Sequence, residues 1–388
     1  FANQSGWSVI DVDSGHEFGL DPLDDVSIMI ESGLVSILPP AMLPSHPSHL
    51  EFPGPVTPNA PRTETNLTFN SNQTGLPREF GPANPQAMIL HSTGLYAPPG
   101  EPVTVVVPQE LVDSGVSVQV GVHDDTLWHK SKIWRFPSIV RSYPISETQF
   151  EVGNAFGGPI FLASPPDAPL GSTWAEFRGG VEAPIYQHGS TSFSEWQIIR
   201  NRSAPWAEIS SDQFIMSVPS SEIRGLDDPE ELMDFWVEAL EMEHELYGFM
   251  PWPRIERAAF DIQISAGWMH SGYPFMAHLV SAQEAVDLEH MESEGSWGMF
   301  HELGHNHQWN PSRLPGTTET TCNFASVYLM EDLVGLDLGH SALSPQQRHQ
   351  RMESYFQGGA DIDDWSVWTA LDTYLIIKEE WGWAPITQ

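Results

Sequence analysis

Hydrophobic and polar positions change their rhythm along this chain, and the changes divide it. Between about residues 85 and 190 the apolar positions come in short runs or at every second place. Val103-Thr104-Val105-Val106-Val107 is a strand-length run, and Val116, Val118, Val120 and Val122 alternate with Ser117, Gln119 and Gly121. A period of two belongs to a strand with one buried face. Pro98-Pro99-Gly100 and Gly157-Gly158-Pro159 punctuate the segment with turns. Short strands at this spacing predict a β-sandwich lobe over 85–190.

Over 191–388 the period becomes helical. Asp228-Pro229-Glu230-Glu231 is a helix start, with Asp as N-cap, Pro in the first turn and Glu at the capping-box position. Leu232, Phe235, Trp236, Ala239 and Leu240 then form one apolar stripe that Gly248 can close; such an aromatic stripe is core packing. Ser344-Pro345 opens a second helix that stops near Gly358-Gly359, and Trp365 to Glu380 reads as a third. Residues 1–84, with Leu38-Pro39-Pro40 and Phe52-Pro53-Gly54-Pro55, read as a Pro/Ser-rich extension or small irregular lobe. The expected class is α+β, a β-sandwich lobe followed by a mostly helical one.

Composition adds exclusions. The chain has 388 residues, 40% of them hydrophobic and 15 of them Trp, enough for a sizeable core. Its apolar runs are strand-sized, so no membrane insertion is expected. A net charge of -36 repels nucleic acid and anionic membrane alike, and its scatter along the chain reads as a solvated surface. The single cysteine, Cys322, excludes an internal disulfide and any cysteine-based zinc cluster. The chain begins at Phe1, which suggests a trimmed precursor or a fragment. Sequons at Asn3, Asn66, Asn72 and Asn201 matter only in a eukaryotic secretory pathway.

Within the helical part stands Trp297-Gly298-Met299-Phe300-His301-Glu302-Leu303-Gly304-His305-Asn306-His307-Gln308. Two histidines four apart on a helix differ by about 40° of rotation and one turn of rise, so both imidazoles can reach one ion. Glu302 lies beside that face, where a carboxylate can take the proton of an attacking water without ligating. Chance produces this five-residue pattern roughly 0.04 times in a chain of this composition. A helix with two surface histidines is the plainer alternative.

A catalytic zinc needs a third protein ligand and an open position. His307 is excluded because it points about 200° away from His305. After the turn at Pro311, Pro315 and Gly316 comes Thr317-Thr318-Glu319-Thr320-Thr321-Cys322-Asn323, entering a second helical stretch. This resembles the helix, turn and second-helix glutamate arrangement of gluzincin peptidases, which makes Glu319 the expected third ligand, with Asn323 placed to support a ligand. Cys322, about 300° round the helix from Glu319, is the rival; as ligand it would push Glu319 into a supporting role. The reading prefers a small buried cysteine beneath the site.

These residues resemble the enhancin-like zinc metallopeptidases, which include bacterial mucin-degrading proteases. The resemblance rests on His301 to Gln308, on Thr318 to Asn323, and on Gly267-Trp268-Met269-His270-Ser271-Gly272-Tyr273-Pro274. It extends to Ser92 to Glu101 and Ala204 to Glu208, covering residue 85 to the C-terminus. It implies His301, His305 and Glu319 as ligands of one catalytic zinc, Glu302 as general base, and a catalytic lobe over 191–388. It also implies a secreted or cell-surface endopeptidase acting on glycoproteins beside O-glycosylated Ser or Thr in mucin-like segments. Cys322 departs from the family, where Asn is more usual, and further helix is expected beyond Gln388.

The segment Trp268 to Tyr273 reads as a loop lining the cleft, with Tyr273 or His270 donating to the developing oxyanion and Trp268 meeting substrate. The alternative is that it shapes a turn and Tyr273 packs. Trp297 can stack on a sugar face or serve the core. The competing function is a non-catalytic glycan- or protein-binding module with a structural zinc.

Overall fold

The computed structural model describes residues 6–71, 75–166, 168, 170–248, 252–337, 339–365 and 367–387. The sequons at Asn3 and Asn72 lie outside the described residues; Asn66 and Asn201 are exposed.

The alternating valines form strands as their period requires. An antiparallel sheet of eight strands comprises Thr63–Asn70 (β1), Ile89–Ala97 (β2), Val103–Val106 (β3), Ser117–Val120 (β4), Arg141–Pro144 (β5), Gln149–Val152 (β6), Gly158–Ser164 (β7) and Ser172–Glu182 (β8). One half runs β5-β4-β7-β2 and the other pairs β8 with β1, β3 and, through β3, β6. Strand β8 joins them. It carries a bulge between Arg178 and Gly180, then pairs Val181 with Tyr96 of β2. Gly179 sits at φ 101° there, a conformation that costs glycine nothing. The halves share Val105, Phe177, Val118 and Leu162 in one core, so the sandwich is a single sheet bent upon itself.

Two features depart from expectation within residues 1–84. Strand β1 is an edge of the sandwich, so residues 63–70 belong to that lobe. Its sequence, TETNLTFN, buries no residue and half-buries only one face, so it offers almost no apolar signal. A 16-residue helix, Pro22–Ile37 (α1), stands within the otherwise irregular stretch that precedes β1. Asp21 caps it through the amides of Leu23 and Asp24, as Asp228 caps the later helix. Only Ile28, Glu31 and Val35 are buried on it, too thin a stripe to stand out in the pattern. The buried Glu31 carboxylate accepts from the Ser8 amide at 2.9 Å and faces His46 Nε2 at 3.2 Å.

The second lobe is largely helical, as expected, and it also holds a sheet that the expectation did not include. A six-stranded mixed sheet runs through it, built from Ile185–Gln187 (β9), Trp206–Ser210 (β10), Phe214–Pro219 (β11), Glu256–Asp261 (β12), Met269–His270 (β13) and Phe275–His278 (β14), in the order β9-β10-β11-β12-β14-β13. Strand β12 is parallel to both neighbours and buried at all six positions. A strand covered on both faces shows no alternation. Here Glu256, Arg257 and Asp261 also disguise it as a surface segment. Each is neutralised internally: Glu256 by Arg254 at 3.0 Å, Arg257 by Glu208, and Asp261 by Arg135 at 2.8 Å.

The sheet is the middle of three layers. Ala258, Phe260, Phe275 and Ala277 face Trp236, Phe300 and Leu303 of the helices. Ala259 and Met276, on the other face, meet Leu90, Val122, Phe161 and Ala163 of the sandwich. The longer helices of this lobe are Pro229–Tyr247 (α2), Trp297–His307 (α3), Thr318–Asp332 (α4), Pro345–Gln357 (α5) and Val367–Trp381 (α6). The predicted stripe of α2 is buried throughout, and Gly248 closes the helix at φ 73°. Among the described residues no helix is long and apolar enough to cross a membrane.

Arg135 and Asp261 are both fully buried, so removing one partner strands a charge in the seam between the layers. Arg135→Met should lower the unfolding free energy by about 3–5 kcal/mol, measured by urea denaturation. The double variant with Asp261→Leu should recover much of that loss.

Candidate metal centre

Helix α3 begins after Ser296 and ends at Gln308, so His301, Glu302 and His305 all lie within regular helix. Helix α4 is buried from Cys322 through Met330, and the two helices pack closely at Gly304. A Cβ at that position would lie 3.1 Å from Cys322 Cα and 3.2 Å from Ala325 Cβ. Only glycine permits this approach without displacement.

The approach brings four donor groups together. His301 Nε2 and His305 Nε2 lie 3.1 and 3.3 Å from Glu319 Oε2. Cys322 Sγ lies 3.5 and 3.4 Å from the same two nitrogens. All four ligand atoms fall within 4.8 Å of one another. Both rings are oriented from behind. Asn323 Oδ1 accepts from His301 Nδ1 at 2.8 Å, and Gln308 Oε1 accepts from His305 Nδ1 at 3.0 Å. With a proton held on each Nδ1, Nε2 is free to ligate an ion whenever it is not donating to Glu319 Oε2. Gln308 is itself fixed, donating to Thr321 Oγ1 at 2.6 Å and to the Thr318 carbonyl. Two imidazoles, a carboxylate and a thiol, with their rear atoms satisfied, form a donor set that fits a divalent ion of the zinc type.

Glu302 is buried beside this set without belonging to it. Burial raises its pKa, against the lowering effect of His301, His305 and His270. Hydrogen bonds from His301 and His305 hold the Glu319 carboxyl well below the usual range. Burial works against charge on His305, but Glu319 and Gln308 outweigh it and raise its pKa. Burial, with the nearby Glu319 and Glu302 charges, pushes the Cys322 thiol up; a bound cation reverses that balance.

His307 points the other way, with Nδ1 2.9 Å from Glu243 Oε2 in the interior. Asn306 ties α3 to the next loop. Its Oδ1 accepts from the Gly272 amide at 3.0 Å, and its Nδ2 donates to Glu256 Oε2 at 2.7 Å.

That loop borders a cavity of about 390 Å³, lined from the sandwich by Asp124, Asp125 and His129 and from the second lobe by Ser265 and His270 to Pro274. The donor set does not line it; His270 is the link, since its charge is felt by Glu302. His270 Nε2 lies 2.8 Å from Asp125 Oδ2, and Nδ1 lies 3.0 Å from the Ser271 carbonyl. With acceptors at both nitrogens, the ring's charged form wins against burial and its pKa is raised. Tyr273 is buried, with Arg254 stacked 4.4 Å from its ring centroid, which is the packing alternative. Trp268 is 56% exposed and stacks on His278 at 4.2 Å. Trp297 is half-buried against His340 at 4.9 Å and Trp368 at 6.5 Å, engaged in packing.

Sequence reasoning assigned no part to Gln308 or Asp125. Gln308 stands three residues after His305, a spacing that could have flagged it. Asp125 is 145 positions from His270, and no local pattern announces that contact.

Comparison with known proteins agrees with this architecture. A family model described as "Peptidase M60, enhancin and enhancin-like" matches residues 179–388, and one described as "N-terminal domain of M60-like peptidases" matches 59–173. Among characterised sequences, TRPM8 channel-associated factor 2 of Bos taurus is 40% identical over 315 residues, spanning 80% of this chain and 34% of that protein. The Homo sapiens protein of the same name is 40% identical over 302 residues, spanning 76% and 33%. The chain thus spans about a third of the length of these relatives. Among solved structures, a functionally unknown conserved protein from Bacillus anthracis superposes with a TM-score of 0.62 at 17% identity, over 79% of this chain and 63% of that one. The M60 catalytic domain of Clostridium perfringens ZmpC, in complex with the sialyl T antigen, gives 0.53 at 13%, over 68% and 57%. IMPa from Pseudomonas aeruginosa, in complex with an O-glycopeptide, gives 0.53 at 16%, over 79% and 37%. At these identities the likeness to the solved structures is one of fold.

Asn323→Ala and Gln308→Ala should each weaken zinc binding by about 10–100-fold, read by competition with a chromophoric chelator, with little change in fold by circular dichroism. The Asp125–His270 pair should show a pH signature in the metal-free protein. A raised histidine pKa contributes stability that is complete below the unfolded value of about 6.5 and fades as pH rises through the folded value. The stability gap between parent and Asp125→Asn should therefore be wider near about pH 5 than near about pH 9, measured by denaturation at each pH.

Proposed function

Because the chain belongs to the peptidase M60, enhancin and enhancin-like family, we propose that it is a zinc-dependent endopeptidase acting on glycoproteins, beside O-glycosylated Ser or Thr in mucin-like segments. The observation that carries this reading is the convergence of His301, His305 and Glu319 donor atoms with Glu302 alongside but outside the set. A structural site needs no such carboxylate.

His301, His305 and Glu319 hold the ion, with Asn323 and Gln308 fixing the ring orientations. Zinc bound there supplies a Lewis acid for the scissile carbonyl and lowers the pKa of water. Glu302 takes the proton of the attacking water on its carboxylate and hands it to the leaving amine; its burial, which raises the carboxyl pKa, favours the protonated form between those two transfers. His270, whose pKa is raised by Asp125 and the Ser271 carbonyl against its burial, can supply positive charge within electrostatic reach of Glu302. The exposed ring of Trp268 offers a face for a sugar. The glycan part of the proposal draws on neighbours crystallised with the sialyl T antigen and an O-glycopeptide. A secreted or cell-surface location follows from such a substrate and is part of the same proposal.

One observation favours a second reading. Relatives at 40% identity are named for association with the TRPM8 channel, which suits a protein-binding module whose metal is structural.

Glu302→Gln should lower cleavage of an O-glycosylated mucin-like protein by about 10²–10⁴-fold with zinc content unchanged, followed by gel and mass spectrometry. Equal behaviour of parent and variant would sink the peptidase reading. Unchanged cleavage after enzymatic deglycosylation would keep the peptidase and remove its glycan dependence.

A further inference from the structure

We infer that Cys322 is a fourth protein ligand, so that the ion sits in a closed set of two imidazoles, a carboxylate and a thiolate, with sulfur at the position a water would occupy. The inference rests on the metal-binding reading of the same cluster and concerns only what fills its fourth vertex.

The geometry points to it. Zinc–nitrogen and zinc–oxygen bonds of about 2.0–2.1 Å at tetrahedral angles set those donors about 3.3–3.4 Å apart, and a zinc–sulfur bond of about 2.3 Å sets sulfur about 3.5–3.6 Å from each nitrogen. The two Nε2 atoms stand 3.1 and 3.3 Å from Glu319 Oε2 and 3.5 and 3.4 Å from Cys322 Sγ. The sulfur is therefore at ligating separation from both imidazoles at once. It also lies 3.2 Å from the Glu319 carbonyl, the contact an ordinary helical thiol makes with the preceding turn. That contact needs the S–H proton, whereas ligation removes it. On binding, the S–H bond breaks, sulfur bonds the ion, and the proton leaves to solvent. The bound dication is then balanced by two anions, Glu319 and the Cys322 thiolate.

Two features make this more than proximity. Gly304 lets the Cys322 backbone approach α3 to within contact of a would-be Cβ, and that approach carries Sγ into the cluster. Four protein ligands are also the mark of a closed site, whereas a hydrolytic site keeps one position open. Peptide hydrolysis here then requires the thiolate to leave, and removing the thiol should open the site.

The test uses the full chain, stripped of metal and loaded with one equivalent of cobalt(II). Cys322 is the only cysteine, so any thiolate-to-cobalt charge-transfer absorption in the near-ultraviolet belongs to it. The parent should show that band and Cys322→Ala should lose it while still binding cobalt through His301, His305 and Glu319. Zinc-edge X-ray absorption of the parent should show one sulfur at about 2.3 Å; this decides the matter alone if the variant does not fold. Hydrolysis of a mucin-like protein should rise several-fold in Cys322→Ala. Stoichiometric metal with no sulfur signal overturns the fourth ligand and leaves the open peptidase site intact. No metal bound by parent or variant overturns both.

Discussion

The close approach of two helices at Gly304 is the constraint on which the site depends. Donor atoms can share an ion only if their separations match its bond lengths to within a few tenths of an ångström. Here those separations are set by the distance between the backbones of α3 and α4, because His301 and His305 come from one and Glu319 and Cys322 from the other. The missing Cβ of Gly304, which would touch Cys322 and Ala325, allows that distance. Gln308 and Asn323 then convert helix proximity into ring orientation, each accepting a hydrogen bond from a histidine Nδ1.

A second layer of control lies in the buried charges of the central sheet. Arg135–Asp261, Arg254–Glu256 and Arg257–Glu208 are expensive to desolvate, and a well-packed apolar core could be as stable. Their geometry is what apolar contacts lack. Arg257 reaches the Leu90 carbonyl and Ser92 of the sandwich, and Arg135, from the sandwich side, joins the Asp125 carbonyl to Asp261 of the sheet. These directional bonds register the sandwich against the sheet, and the cleft at their seam receives Asp125 from one side and His270 from the other. Electrostatics in the site thus depends on a contact between lobes as much as on the helix carrying the histidines.

The same cluster bears on both functional readings. Glu302 has the surroundings of a general base, buried beside the donor set and within electrostatic reach of His301, His305 and His270. Cys322 has the surroundings of a ligand. A hydrolase needs the first and an open vertex; a structural centre needs the second and no base. This chain carries both groups within one helix pair, so the occupant of the fourth vertex, sulfur or water, separates the two readings.

Much of this was legible in the sequence because the signals act over a few residues. The valine alternation, the Asp228-Pro229 and Ser344-Pro345 helix starts, and the phase that sets His301 and His305 on one face and turns His307 away all follow from local periodicity and capping. The thin stripe of α1, the half-buried edge β1 and the charged strand β12 escaped because their burial is supplied by neighbours distant in the chain. Asp125 meets His270 across 145 positions, and a helical wheel places Cys322 on the right side of α4 without saying how near α3 stands. The sequence by itself determined which side chains could act and which way each helix would turn them. Only the tertiary structure decided their separations, because these depend on how closely two backbones pack, and periodicity carries direction but no distance.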